Sequence, residues 1–171
     1  MSKAPDQNLP MADLNTPHNL DPKKLDAVVE GMNKFVSDLI ALWLKTKNYH
    51  WHMSGRHFRD YHLLLDEQSE EIIGTVDAAA ERVRKLGRKT VTSINMVKQL
   101  QRVTDNDDAQ VQPRDMLLDL VEENKKLSAN MLETHEACDK ANDVATASFL
   151  EEWIDQAQRR TWFLFEATRE E

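Results

Sequence analysis

The chain has 171 residues, 40% of them hydrophobic and 30% charged, with only 4 glycines and 5 prolines; this fits one domain with a core under a solvated surface, and excludes collagen, mucin and wholesale disorder. Thirty acids against 22 bases leave a net charge of −8, which disfavours a nucleic-acid backbone as partner and favours cations. No apolar run approaches the roughly 18–20 residues of a bilayer span, no basic-then-apolar leader is visible, and the single Cys138 has no internal disulfide partner, so a cytosolic protein away from membranes is expected.

Residues 1–21 hold three of the prolines (Pro5, Pro10, Pro17) and no apolar periodicity. They read as a flexible polar tail, ordered at most against the body of the protein. Residues 22–171 read as one domain, and the absence of proline from Lys23 to Gln112 argues against a turn-rich β fold. Asp21-Pro22 supplies a cap and a first-turn proline for a first helix, carried by Val28, Val29, Met32, Phe35, Val36, Leu39, Ile40 and Trp43 and stopped after Met53 by Ser54-Gly55. A second helix is expected from about His57 to Leu86, with Leu65, Ile72, Ile73, Val76, Ala80 and Val83 on its apolar stripe and Gly87 at its end. The connection that follows is too long to be structureless, and Thr92-Ser93 caps a short extra helix over Ile94–Leu100. A third long helix runs from Pro113 to about Lys140 on Leu117, Leu120, Val121, Leu127 and Met131. A fourth follows Asn142-Asp143 on Leu150, Trp153, Ile154, Ala157, Leu164 and Phe165. The fold class is all-α: a four-helix bundle with one crossover.

Four of the six histidines (His50, His52, His57, His62) fall within 13 residues. On the second helix His62, Asp66, Glu70, Asp77 and Glu81 are spaced 4, 4, 7 and 4, which places all five on one face. Taken singly, a carboxylate on a helix is usually part of a solvated face, and Glu81 with Lys85 makes an ordinary charge ladder. The joint spacing, beside Tyr49-His50-Trp51-His52, points instead to metal ligation by imidazole and carboxylate, a donor set suited to iron, zinc or manganese. The pairs His62/Asp66 and Asp77/Glu81 lie 15 residues apart centre to centre, about 22 Å along a straight helix. No ion, nor a pair of ions about 4 Å apart, spans that distance. The Glu-x-x-His pattern of single-bundle di-iron sites is absent too. Either these are two unrelated half-sites, or two chains pack antiparallel along this helix and share them; the sequence favours the shared site.

Tyr49-His50-Trp51, Gly55, Phe58, His62, Asp66, Asp77, Ala80-Glu81-Arg82 and Leu86-Gly87 resemble the signature of the Dps family, and Asp143, Thr146-Ala147 and Trp162-Phe163 resemble its last helix. The resemblance covers roughly residues 22–169. It implies a ferritin-like bundle assembling into a hollow homo-oligomeric dodecamer, with iron as the metal. It further implies that His50, His62 and Asp66 of one subunit and Asp77 and Glu81 of its neighbour form a ferroxidase centre. There iron(II) would be oxidised, preferably by hydrogen peroxide, and the ferric product stored in the cavity against oxidative damage. Trp51 matches a tryptophan that lies near the iron centre and takes part in electron transfer in the family; an interface or core position is the plainer alternative. His52 and His57 match no ligand. Acids near the start of the last helix line the iron-entry pores of the family, which makes Asp139 and Asp143 the candidates, although Ser148 stands where an acid is common. The expected location is the bacterial cytoplasm, nucleoid association included. DNA-binding members often carry lysine-rich tails, whereas residues 1–22 hold Lys3, and Lys-free otherwise, against Asp6, Asp13 and Asp21. DNA binding is therefore expected to be weak or absent, with nucleoid compaction the competing function.

Overall fold

A computed structural model describes residues 13–169. A single 3-10 turn at Pro22–Lys24 leads into α1 (Asp26–His52), followed by α2 (Phe58–Lys85), α3 (Ile94–Leu100), α4 (Pro113–Ala141) and α5 (Val144–Ala167). No strand occurs among the described residues, and no helix there is long and apolar enough to cross a membrane.

The boundaries follow from local chemistry. Asp21 accepts a hydrogen bond from the Lys23 N–H at 3.0 Å and Pro22 fixes the first turn, but that turn closes as 3-10, and α1 begins four residues after Pro22. Ser93 caps α3 by accepting from the Met96 N–H at 3.2 Å. Asp143 caps α5 by accepting from the Thr146 N–H at 3.1 Å. Gly87 ends α2 with a φ of +69°, and a Cβ there would stand 2.9 Å from the Thr16 backbone nitrogen. That close approach exists because the segment preceding the bundle crosses the end of α2. Thr16 Oγ1 donates to the Arg84 carbonyl at 2.9 Å, and Arg84 donates to the Leu14 carbonyl at 3.2 Å. The expected tail thus lies against the bundle over residues 13–21; residues 1–12 lie outside the described ones.

α1 and α2 form one hairpin, α4 and α5 the other, and the two pack face to face around one core. Phe35 and Leu39 from α1, Leu65 and Ile72 from α2, Leu120 and Leu127 from α4, and Leu150 and Leu164 from α5 are all buried in it. Phe35 lies 5.2 Å from Trp153, ring to ring. Phe165, counted with the apolar stripe of α5, is half-exposed, because Leu164 takes the core-facing position and its neighbour falls outside.

Buried ion pairs fasten the crossover to the bundle. Asp38 accepts from the Arg102 backbone and from its guanidinium, each at 2.6 Å. Its carboxyl is raised above the usual range because burial outweighs the attraction of Arg102. Lys45 donates to the Thr104 carbonyl at 2.7 Å and to Asp119 at 2.9 Å, with Glu123 at 3.4 Å. Between α2 and α5, the buried Arg160 holds Glu71 and Asn124, both at 2.8 Å. Cys138 is fully buried, and burial together with Asp143 and Asp139 pushes its thiol up to about 12.

Two helical glycines should respond oppositely to alanine. A Cβ on Gly31 would stand 2.5 Å from Thr134 Oγ1 on α4, so the α1–α4 approach depends on its absence. Overpacking of that kind costs about 1–3 kcal/mol, against a helix-propensity gain of about 1 kcal/mol. Gly74 has no atom within 4 Å of such a Cβ. Thermal unfolding should therefore show Gly31→Ala melting below the parent chain and Gly74→Ala at or above it. An unchanged midpoint for Gly31→Ala would show that Thr134 can simply turn away.

Candidate metal centre

The turn 53–57 folds the last turn of α1 onto the start of α2 and brings His50 and His62 together, their rings stacked with centroids 3.7 Å apart. His50 Nδ1 lies 2.8 Å from the His62 carbonyl, and His62 Nδ1 lies 3.0 Å from the His50 carbonyl. A carbonyl oxygen only accepts, so both Nδ1 atoms carry hydrogen and donate. In the neutral ring such a bond directs the lone pair to Nε2, which is how a second hydrogen bond sets the tautomer of a metal-binding histidine. His50 Nε2 stands 3.8 Å from Asp66 Oδ1, one turn further along α2. Phe58 packs against the far side of His62 at 5.0 Å between centroids.

Asp66 already holds a cation. The Lys47 ammonium lies 2.5 Å from Asp66 Oδ1 and 3.7 Å from Glu70 Oε1. This hydrogen-bonded ammonium holds the Asp66 carboxyl below the usual carboxylate range, ahead of the opposing effect of desolvation. Lys47 was not legible as part of the site: it sits one turn before His50 on a different helix from Asp66, and nothing in its spacing announces the contact. Its position shows that a positive charge is accommodated beside the two free imidazole nitrogens.

Asp77 and Glu81 lie further along α2, both exposed, with Glu81 Oε2 3.1 Å from Lys85. They make no contact with His62 or Asp66, and among the described residues no group of three or more His, Cys, Asp or Glu side chains is poised to hold a metal within one chain. One chain thus holds these donors as two separated sets, His50 on α1 with His62 and Asp66 on α2, and Asp77 and Glu81 further along α2. Their donor atoms, imidazole nitrogen and carboxylate oxygen, fit a first-row transition ion such as iron(II) better than calcium or magnesium.

The remaining candidates lie elsewhere. Trp51 is 59% exposed and is no core residue; with Leu44 and Ile94 it lines an apolar groove between α1 and α3. His52 Nδ1 donates locally to the Asn48 carbonyl, 2.8 Å away, and His57 precedes α2 with its ring 5.5 Å from Tyr61. Of the two pore candidates, Asp139 is exposed and lies 3.4 Å from His135. Asp143 is 2% exposed and bonded to Arg82 at 2.8 Å, besides capping α5. Its carboxylate is bonded inside the bundle end, where Arg82 also donates to Thr146 at 2.7 Å.

Residues 29–170 match the model of the ferritin-like domain. The DNA protection during starvation protein 1 of Deinococcus radiodurans is 31% identical over 147 residues, which cover 86% of this chain and 71% of that one. DpsC of Streptomyces coelicolor superposes with a TM-score of 0.87 at 26% identity, covering 92% of each chain. A Dps protein of Vibrio cholerae, described as a member of a broad superfamily of ferritin-like diiron-carboxylate proteins, superposes at 0.84 over 92% of this chain and 99% of its own. At 18% identity that last likeness is one of fold. With an all-helical bundle, a domain match over most of its length and relatives of this kind, the chain belongs to the Dps family of ferritin-like proteins.

Proposed function

We propose that this protein oxidises iron(II), with hydrogen peroxide as the preferred oxidant, at centres shared between two-fold-related subunits, and stores the ferric product inside a twelve-subunit shell. The observation that carries this reading is the pair of half-sites: His50, His62 and Asp66 at one end of α2's polar face, Asp77 and Glu81 at the other, about 22 Å apart on a straight helix and neither complete alone. An isologous antiparallel contact along α2 would set each half against the other half of its partner.

Each side chain then has a task. The two neutral imidazoles offer Nε2 lone pairs whose direction is fixed before the metal arrives. Asp66, with Asp77 and Glu81 of the partner subunit, supplies the negative charge that offsets the ion's lost hydration. Lys47 gives up its ion pair with Asp66 as iron(II) binds. Two iron(II) ions give one electron each to one peroxide, which takes up two protons and leaves as two waters. Paired oxidation of this kind releases no hydroxyl radical, and it protects the cell. Trp51 stands next to His50 as an electron-transfer residue, and Asp139 as the acid for iron entry. The bacterial cytoplasm is the location this chemistry suits. The direct test is colour development when iron(II) and peroxide are added to the assembled protein. An unreactive shell would leave an inert bundle.

Nucleoid compaction is the second reading, favoured by the name of the Deinococcus relative. Charge argues against it. Twelve chains at −8 carry a formal −96, so counterion release has little to draw on. Gel retardation at low salt should show no stable plasmid complex at neutral pH. Tight, salt-resistant retardation would overturn this and assign the shell a DNA role.

A further inference from the structure

Unused positive charge gathers at the end of the bundle where α2 and α4 begin and α5 ends. A cavity of about 500 Å³ opens there, and its lining includes Arg56, His57, Tyr61, Arg114, Thr168 and Arg169. Three arginines and a histidine around one cavity are unexpected in a chain of net charge −8. Among the described residues no carboxylate lines the cavity, whose other lining residue is Ala167; the nearest acids in sequence on α2 and α4, Asp60 and Asp115, lie in the first turns of those helices. Among the described residues Arg56, His57 and Arg114 have no acidic partner within 4 Å, and Arg169 has only the loose contact to Glu166 at 3.4 Å.

The frame of the cavity is fixed. Tyr61 donates to the Ala167 carbonyl at 2.8 Å, and Arg114 Nε donates to the Thr168 carbonyl at 3.3 Å. These two bonds use up the last carbonyls of α5, the groups that would repel an anion, and leave both terminal nitrogens of Arg114 free of any protein hydrogen bond among the described residues. The N-termini of α2 and α4, helices of 28 and 29 residues, lie at the same end, and neither has a side-chain cap.

We propose that this cavity is a binding site for a compact polyphosphate anion. Arginine is the side chain whose planar fork pairs two nitrogens with two oxygens of a phosphate, and three of them suit two or three linked phosphates better than one. The volume lies in the range of small-ligand sites and exceeds what a single orthophosphate fills. Two sources share this chemistry: free inorganic polyphosphate, or the phosphate tail of a nucleotide, with the His57 and Tyr61 rings beside it. The site shares the turn 53–57 with His50 and His62 but uses none of the proposed iron ligands.

Isothermal titration calorimetry of the assembled protein with pyrophosphate, and separately with ADP, tests this. Arg56→Gln/Arg114→Gln should weaken pyrophosphate at least tenfold. Lys98→Gln/Lys140→Gln, which removes the same charge at exposed positions away from the cavity, should leave the affinity within twofold. Arg56 makes no bond to any described residue, so Arg56→Glu alone cannot unfold the chain; it should weaken binding by a similar factor in shells that elute normally. ADP bound tenfold more tightly than pyrophosphate would identify the nucleotide as the source, and equal affinities the free anion. No measurable binding of either, or equal losses in the two double variants, would overturn the proposal. So would a duplex oligonucleotide that binds through these arginines and resists displacement by pyrophosphate.

Discussion

Shells reassembled from equal amounts of two inactive chains should recover about a quarter of wild-type iron oxidation, as random pairing across an isologous interface requires. One chain lacks His62 and Asp66; the other lacks Asp77 and Glu81. Alone, each forms shells in which every two-fold centre has lost half of its ligands. On mixing, half of the two-fold pairs contain one chain of each kind. In such a pair one centre collects both sets of substitutions, while the other collects neither and is wild type. If instead the two half-sites serve separate single-chain centres, mixing restores nothing. Reassembly is verified by size exclusion before the assay, so that zero recovery in well-formed mixed shells counts against the shared centre.

Removing a single carboxylate should cost nearly as much. Asp66→Ala or Glu81→Ala takes away an anionic donor, and the initial rate of iron(II) oxidation by peroxide should fall at least tenfold. The fold survives, since Asp66 and Glu81 are 45% and 57% exposed at the side chain, the Lys85 pair is a surface one, and the largely buried Lys47 keeps Glu70 at 3.7 Å. Wild-type rates from intact shells would sink the ligand assignment. Lys47→Met is the informative companion: it leaves every donor in place and removes the ammonium that competes for Asp66.

Periodicity and punctuation made the helices legible. Ser54-Gly55, Ser93, Pro113 and Asn142-Asp143 mark element ends with groups whose geometry is local, and the structure puts the ends there. The short helix Ile94–Leu100 was readable for the same reason. Tertiary facts were not. That Asp143 is an internal partner of Arg82 depends on where α2 ends relative to α5, which no spacing encodes. The half-exposed Phe165 reflects the final rotation of α5, and Lys47 on Asp66 is a contact across 19 positions of sequence. Four of the candidate ligands, His62, Asp66, Asp77 and Glu81, were visible because they share one face of α2, while His50 stands on α1. Their incompleteness in one chain followed from the rise per residue alone.

The crossed bonds between His50 and His62 have a thermodynamic consequence. Each ring is anchored to the main chain of the other residue, and the rings lie against each other. Neither imidazole can turn without releasing a carbonyl that its neighbour's segment needs satisfied. The two histidines and the turn between them therefore behave as one cooperative unit. In a double-mutant cycle on iron(II) affinity, the losses at the two positions should not add: once either ring is gone, the other is free to wander, and the second substitution removes a group that had already lost its aim.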